Sequence, residues 1–485
     1  MRYAWSVAQI RAAEQASPKL ATGELMQRAA DAVAKAATTY LRGGDRDHLP
    51  GTQPAAGSPT GTLILVGPGN NGADGLWAGQ RLATAGERVR ACAVLGTSDE
   101  AAGSAFTEAG GEFLDVDAAL QWIAGAPGLI IDAMFGIGAR PGLQGDPARL
   151  AEAANAGAQV VLAVDLPSGL DADTGELTGT SIRANSTVTF GGYRQCHLLG
   201  PAGPHCGAVE VAGIGIDLPP AAATLAAWTQ ADLANSWPVP GPSDNKYSRG
   251  VLGIDTGSQR YPGAAVLSCI GATWSGAGMI RYVGRADGAE IVRALPNVTL
   301  GEGRVQAWLL GSGWGDRTDA EERVGQILDQ QLPTVIDADA LSALGQRRVH
   351  RGVLLTPHAG ELARLLDSDR RSVEQDPIAA GRAVADRTGA TVLLKGANQY
   401  VFTPDADQVH LAIPGPAWTG QAGSGDVLAG VCGTLLAAGL DPAAAAAAAA
   451  SLQAITAAAH PGPYPPQDLA RFFPETLTRR GIIDR

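Results

Sequence analysis

Leu63-Ile64-Leu65-Val66-Gly67-Pro68-Gly69-Asn70-Asn71-Gly72-Ala73-Asp74-Gly75 decides the fold of the first half of this chain. Its opening run of apolar residues predicts a strand buried on both faces, and Gly67-Pro68-Gly69 ends it. A helical pattern follows, from about residue 75 to residue 85. Strand, glycine-rich turn and helix in that order are the building unit of open parallel sheets, which hold ligands at the carboxyl ends of their strands. The paired Asn70 and Asn71 add amide donors and acceptors that glycine cannot supply.

Outward from this stretch, residues 89–95, 129–131 and 160–164 read as further strands, and 187–190 and 208–211 as late edge strands. Residues 1–41 read as helical, with apolar side chains recurring at three and four steps. Residues 43–61, rich in Gly, Pro and Ser, read as a mobile loop. Clustered prolines and alanines from Asp217 to Ser243 mark a boundary. The expected division is residues 1–218, a linker at 219–243, and residues 244–485. The second half repeats the α/β logic, with strands at 251–254, 307–310, 334–336, 353–355 and 391–394. The alanine run 443–450 predicts a close-packed helix with no chemical role.

A chain of 485 residues exceeds one core, which agrees with two domains. A net charge of −12 disfavours a broad nucleic-acid-binding surface. The five cysteines are scattered and imply no disulfide framework. Cys196-His197 and His205-Cys206 have zinc-like chemistry, but neither a Cys-x-x-Cys pair nor a third cluster supports them. No uninterrupted apolar span approaches the length a bilayer needs, and residues 1–14 lack the apolar core of a signal peptide, so a cytoplasmic protein with no membrane partner is expected.

Two more loops follow strands of the first half: Asp132-Ala133-Met134-Phe135-Gly136-Ile137-Gly138 and Asp165-Leu166-Pro167-Ser168-Gly169. An Asp or Asn that closes a turn accounts for one such loop. Three in succession point to a site, and oxygens from Asn71, Asp132 and Ser168 could together hold a hard cation. In the second half, Ala422-Gly423-Ser424-Gly425-Asp426-Val427-Leu428-Ala429-Gly430 leads small residues into a carboxylate and then an apolar helix. Glycines let main-chain amides approach a phosphate, and the helix adds its positive end. Asp426 then stands where a substrate hydroxyl meets that phosphate, as a kinase-like base must.

The three N-terminal motifs in order resemble the NAD(P)H-hydrate epimerase domain, over about residues 1–218. The resemblance implies that Asn70, Asn71, Gly72, Ala73 and Asp74, the loop Gly136, Ile137, Gly138, Ala139, Arg140, Pro141 and Gly142, and Asp165 bind a hydrated nicotinamide nucleotide. It also implies a potassium ion at Asn71, Asp132 and Ser168. By motif position Asp165 is the acid–base group. Ala73 stands where a glycine is common. Residues 228–473 carry Asn245-Lys246-Tyr247-Ser248-Arg249-Gly250, Gly257 to Ala265, Leu310 to Gly315, Asp337 to Leu341, Thr356 to Glu361 and Lys395 to Gln399. With Gly423 to Asp426 these resemble the ADP-dependent NAD(P)H-hydrate dehydratases of the ribokinase-like superfamily. That resemblance implies that Ala264, Gly313, His358 and Asp426 meet the hydrate, and that Lys395, Gly396, Ala397, Asn398, Gln399 and Gly425 bind ADP or AMP. Asp426 becomes the catalytic base, and Mg2+ bridges phosphate oxygens. Asn245 stands where the family often has His, and Asn398-Gln399 replace a more usual hydroxyl residue.

The fold class expected is therefore α/β in two domains, Rossmann-like with three layers first and ribokinase-like second. The activity expected is epimerisation of NAD(P)H hydrates and ADP-dependent dehydration of the S form, in a homo-oligomer. A vitamin or sugar-alcohol kinase fused to a non-catalytic nucleotide- or RNA-binding domain is the alternative, since fold does not fix function.

Overall fold

The computed structural model describes residues 1–42, 61–125, 128–157, 159–479 and 481–483. The loop expected at 43–61 lies, but for Gly61, outside the described residues. The chain divides into two compact units, Tyr3–Thr224 and Leu225–Arg485, the latter joined by Met1–Arg2. Within the stretch expected as a linker, residues 225–236 hold a strand and a helix of the second unit.

The N-terminal unit runs β1 (Arg2–Trp5), α1 (Val7–Ala16), α2 (Glu24–Leu41), β2 (Thr62–Val66), α3 (Asn70–Thr84), β3 (Val89–Ala93), α4 (Glu100–Glu108), β4 (Glu112–Leu114), α5 (Val116–Ala124), β5 (Leu129–Ala133), α6 (Gly145–Ala156), β6 (Val160–Val164), β7 (Ser186–Phe190), β8 (Tyr193–Arg194) and β9 (Ala208–Ala212). Seven of these strands form one sheet in the order β4-β3-β2-β5-β6-β7-β9, every pair parallel. Helices α2, α3 and α4 share one apolar core with the sheet, and α5 and α6 another, which gives three layers. The order reverses between β2 and β5, so the crevice at their carboxyl ends is the expected ligand seat. Strand β7, expected at an edge, lies inside the sheet between β6 and β9. The N-terminus is not one helix. It opens with β1, paired with β8, and a Ser6–Gln9 capping box starts α1. Ser17 ends α1 before Pro18, and α2 starts only after Gly23.

The C-terminal unit runs β10 (Leu225–Ala227), α7 (Gln230–Ser236), β11 (Val251–Asp255), α8 (Pro262–Trp274), β12 (Met279–Tyr282), α9 (Gly288–Ala294), β13 (Val298–Leu300), β14 (Ala307–Leu310), α10 (Ala320–Leu328), β15 (Thr334–Ile336), α11 (Asp339–Ala343), β16 (Val353–Leu355), α12 (Ala359–Leu365), α13 (Arg370–Gln375), α14 (Pro377–Thr388), β17 (Thr391–Leu394), β18 (Tyr400–Phe402), β19 (Val409–Leu411), α15 (Ser424–Ala437), α16 (Pro442–Ala459), α17 (Pro466–Ala470) and α18 (Phe473–Arg479). Its strands order β13-β12-β11-β14-β15-β16-β17-β18-β19-β10, parallel from β13 to β17 and antiparallel through the β17-β18-β19 meander. The five strands expected from sequence in this half are all present. Helices α15 and α16 are apolar on every face because both are buried in one core with α8 and the sheet. Helix α16 is, by length and composition, apolar enough to cross a bilayer, which departs from the sequence reading. Most of it is buried inside this unit, and its alanines let it pack closely there. Helices α8 and α15 meet at two glycines. A Cβ on Gly271 would stand 2.1 Å from the Val427 carbonyl oxygen, and one on Gly430 2.2 Å from that of Ser268. That contact fixes where the first turn of α15, with Asp426, meets the sheet.

Candidate active sites

In the N-terminal unit the first turn of α3 is itself the Asn70–Asp74 motif, so these residues lie in a helix rather than a loop. Close approach requires its glycines. A Cβ on Gly72 would lie 2.0 Å from the Gly67 carbonyl oxygen, and one on Gly75 2.4 Å from the Ala133 Cβ. Helix α3 is thereby drawn onto the ends of β2 and β5. The Asn71 side chain packs on Gly136, with Oδ1 3.2 Å from where a Cβ would be. Its Nδ2 and the Asp74 Oδ1 are buried with no hydrogen-bond partner. Ala73 is buried in the core.

Asp132, at the end of β5, is fully buried. It accepts the Ser168 hydroxyl at Oδ1 and the Ser168 amide at Oδ2, both at 2.7 Å, and the Met134 amide at 3.2 Å. Burial pushes its carboxyl up to about 6 against those hydrogen bonds. The Phe135 amide donates to the Ser168 hydroxyl at 2.9 Å, and the Phe135 carbonyl lies 3.3 Å from it. The loop from Gly136 to Gly142 is anchored by the Gly142 amide on the Gly169 carbonyl. Ile137 packs beside Trp5 and Ile10, while Gly138 and Arg140 are exposed. Ala139 closes a turn on Gly136, and Pro141 leads into Gly142.

Asp165 follows β6 in the left-handed region, with φ 68°. Such a conformation in a non-glycine residue is held by its surroundings and is frequent at functional sites. Here its carboxylate pairs with Arg194 at 2.8 Å and accepts the Thr189 hydroxyl at 3.0 Å, all within the interior. Arg194 also donates to the Phe190 and Gly192 carbonyls. His197 Nδ1 accepts the Arg194 amide, so its Nε2 carries the proton it donates to the Asp165 carbonyl. Burial holds that imidazole down to about 4. Cys196, His197 and Cys206 do gather, but both ring nitrogens of His197 are spent, and His205 bonds Ser181 instead. That arrangement does not fit a metal. Burial, then the charges of Asp165 and Glu14, hold the Asp74 carboxyl well above its usual range. Glu14, on α1, is itself raised by burial, opposed chiefly by Arg194. Arg11, one turn earlier, reaches the loop at Gly138, 3.1 Å from where a Cβ would be. Sequence reasoning missed Arg11, Glu14 and Arg194. Arg194 directly precedes the Gln195-Cys196-His197 run, whose zinc-like look drew the reading away from it.

In the C-terminal unit four of the motifs stand at the carboxyl ends of β14, β15, β16 and β17 and Gly257 to Ala265 follows β11, whereas Asn245 to Gly250 leads into the amino end of β11. Asp337 is buried after β15 and accepts Lys395 Nζ at 2.7 Å, the Thr356 hydroxyl at 2.8 Å and the Ser312 hydroxyl at 2.8 Å. Glu361 lies 4.0 Å from the same ammonium. Lys395 Nζ is 3.3 Å from where a Cβ on Gly425 would be, so the ammonium sits over the first turn of α15. The early amides of that helix have no intrahelical acceptor. Gln453 donates to the Ser424 carbonyl at 3.1 Å and its hydroxyl at 3.0 Å, which pins this end. Asp426 is in the same turn. Burial, then the charge of Asp337, push it up to about 7 against Lys395 and a hydrogen bond with Ser312. The Lys395 ammonium is held above its usual range by Asp337 and Glu361, against its burial.

Gly313, at φ 68°, touches Ala264. A Cβ there would meet that of Ala264 at 2.5 Å. His358 caps α12, with Nδ1 accepting the Gly360 and Glu361 amides at 3.0 and 3.2 Å, so a helix-start role is part of what it does. It is bridged to Lys395 across neighbouring strand ends. Gly396, Ala397, Asn398 and Gln399 form the turn between β17 and β18, where the Asn398 amide reaches the Tyr400 hydroxyl at 3.3 Å. Asp337, Ser312, Thr356 and Glu361 stood in quoted motifs without a role. For Ser312, Asp337 and Thr356 the common signal is a polar residue just after a buried strand, whereas Glu361 stands in the first turn of α12.

A family model described as NAD(P)H-hydrate dehydratase matches residues 252–474, and one described as YjeF-related protein N-terminus matches residues 22–196. The chain is 40% identical over 465 residues to a bifunctional NAD(P)H-hydrate repair enzyme of Mycobacterium tuberculosis, covering 92% of each chain. It is 39% identical over 482 residues to the Mycobacterium leprae enzyme of the same description, covering 96% of each. Among solved structures, the ADP/ATP-dependent NAD(P)H-hydrate dehydratase of Bacillus subtilis, co-crystallised with ATP/Mg2+, is 24% identical. It covers 52% of this chain and 98% of its own, at a TM-score of 0.49.

Proposed function

Because the chain belongs to the bifunctional NAD(P)H-hydrate repair enzymes, we propose that its two units perform the two steps of that repair on the residues described above. The N-terminal unit interconverts the R and S hydrates. The C-terminal unit dehydrates the S form with ADP and releases AMP and phosphate.

The observation that carries the dehydratase step is the first turn of α15. Asp426, raised to about 7 by burial and by Asp337, shares that turn with Gly425, over which Lys395 stands. A carboxylate poised near neutral pH can take the proton of the substrate hydroxyl as it attacks phosphorus. Main-chain amides and the Lys395 ammonium stabilise the transferring charge. The phosphate ester formed is a far better leaving group than hydroxide, and its loss restores the reduced nicotinamide. Ala264, Gly313 and His358 border the hydrate, and Lys395 to Gln399 with Gly425 border the adenine nucleotide. Mg2+, when bound, neutralises charge between phosphate oxygens.

In the N-terminal unit, the ion-paired Asp165 is the acid–base group. The loop Gly136 to Gly142 and the α3 turn Asn70 to Asp74 contact the hydrate. Two buried polar atoms without protein partners, Asn71 Nδ2 and Asp74 Oδ1, suit a polar ligand at that turn. The residues also fit potassium. Asp132 is a buried carboxylate with oxygen neighbours and no basic side chain among its hydrogen-bond partners. Asn71, Asp132 and Ser168 would hold the ion, whose charge would offset that carboxylate. A cytoplasmic location and a symmetric homo-oligomer belong to the same reading. Sedimentation of the purified chain tests the assembly.

The kinase alternative loses ground because the relatives match along both units together. The decisive experiment supplies mixed hydrate epimers with ADP or ATP. Recovered reduced-nicotinamide absorbance and the stereoisomer left behind are followed. Accumulation of a stable phosphorylated product without recovery would overturn the proposal in favour of a kinase.

A further inference from the structure

We propose that the N-terminal unit seats the adenosine half of its dinucleotide hydrate in a separate cavity at the carboxyl ends of β3 and β4. This rests on the epimerase reading and extends it, since none of the residues assigned above is given to that part of the substrate. The cavity holds about 820 Å3 and is walled by Leu95 and Ser98 after β3, Phe113 and Asp115 around the end of β4, and Gln144 and Pro147 at the start of α6. That volume is in the range of small-molecule sites.

Three observations point to the occupant. The first is topology. The strand order reverses between β2 and β5, and Asp132 and Asp165 stand on the β5–β6 side of that crevice. A dinucleotide lying across such a crevice puts its two halves on opposite sides. The β3–β4 side is the one the reactive half leaves free, two to three strand spacings from Asp132 on β5, or about 10–14 Å. The second is continuity. The loop Gly136 to Gly142 runs on directly into Gln144 to Pro147, so one segment borders both places. The third is chemistry. Leu95 is 55% exposed and Phe113 42%, an apolar pair suited to the face of a purine. Ser98, Asp115 and Gln144 offer polar groups to a ring edge or ribose, and no Lys or Arg lines the cavity. An uncharged nucleoside fits that lining better than a phosphate does.

The test is steady-state epimerase kinetics on the full chain with two substrates, NADH hydrate and the hydrate of reduced nicotinamide mononucleotide, which lacks adenosine. Leu95→Asp puts charge on the apolar wall, and Ser98→Trp fills the space. The wild type is expected to show a KM at least about tenfold lower for the dinucleotide hydrate. Each variant should raise that KM about tenfold with kcat unchanged. Mononucleotide turnover should stay at the wild-type level, which also reports that the unit is folded. Equal wild-type KM values for both substrates, or variants that leave the dinucleotide KM unmoved or slow both substrates alike, would overturn the cavity assignment. A wild type that epimerises neither hydrate would instead bring down the epimerase reading beneath it.

Discussion

Arg194 lies 2.8 Å from Asp165, and both side chains are withdrawn from solvent. The pair holds the Asp165 carboxylate in a left-handed backbone position, with the Thr189 hydroxyl on the same oxygen. Removing one partner of a buried pair leaves an uncompensated charge and costs roughly 3–5 kcal/mol. Arg194→Met is therefore expected to destabilise the N-terminal unit by that order and to abolish epimerisation. Asp165→Asn should keep the hydrogen-bonded geometry better and cost mainly rate, at least about a hundredfold. Dehydratase activity should survive both. Thermal unfolding and the two assays, run on the same preparations, check this. Epimerisation at full speed in Asp165→Asn would remove its acid–base role.

The sheet architecture was legible because strands buried on both faces are continuous apolar runs. Residues 63–66, 160–164 and 391–394 needed nothing else. The short strands β12, β13 and β19 escaped notice because Arg281, Thr299 and His410 interrupt their apolar pattern, while β18 is apolar but only three residues long, and neighbouring strands define all four. In the sites, motif residues that act through the main chain were visible as glycines. Side chains arriving from distant segments were not. Arg194 reaches Asp165 from 29 residues downstream, and Glu14 belongs to a helix that precedes every strand of the seven-stranded sheet. No local pattern marks either.

The dehydratase should follow the ionisation of Asp426. The base must be deprotonated, so kcat/KM is expected to rise with pH and to level off above about 7, where burial and Asp337 have moved this carboxyl. Asp337 raises it, so Asp337→Asn should move the rising limb to lower pH. Lys395 lowers it, so Lys395→Met should move the limb to higher pH and also weaken nucleotide binding. Asp426→Asn should lose about two to four orders of magnitude in rate. A pH profile of Asp337→Asn that moves the other way would refute this coupling.

Potassium should matter to one activity only. Replacing it with lithium, or changing Asp132→Ala, is expected to slow epimerisation by at least about tenfold while the dehydratase keeps its rate. The change to alanine also removes three hydrogen bonds at the end of β5, so the ion exchange on the unaltered chain is the cleaner arm. Equal epimerase rates in potassium and lithium would count against the ion at Asn71, Asp132 and Ser168.

Two glycines three residues apart separate packing from ligand approach. A Cβ on Gly72 would stand 2.0 Å from the Gly67 carbonyl oxygen, a backbone atom that cannot step aside. Gly72→Ala must therefore push α3 away from β2, at about 1–3 kcal/mol. For a unit of this size that corresponds to a fall of roughly 2–12 °C in Tm. Gly69, the N-cap of α3, has nothing within 4 Å of its Cβ position and a φ of −100° that alanine adopts freely. Gly69→Ala should leave Tm unchanged. If a ligand approaches the first turn of α3 there, the new methyl meets the ligand alone, and the epimerase KM rises while the fold stays intact. A Gly69→Ala chain with wild-type KM would mean that the hydrate does not pack against that turn.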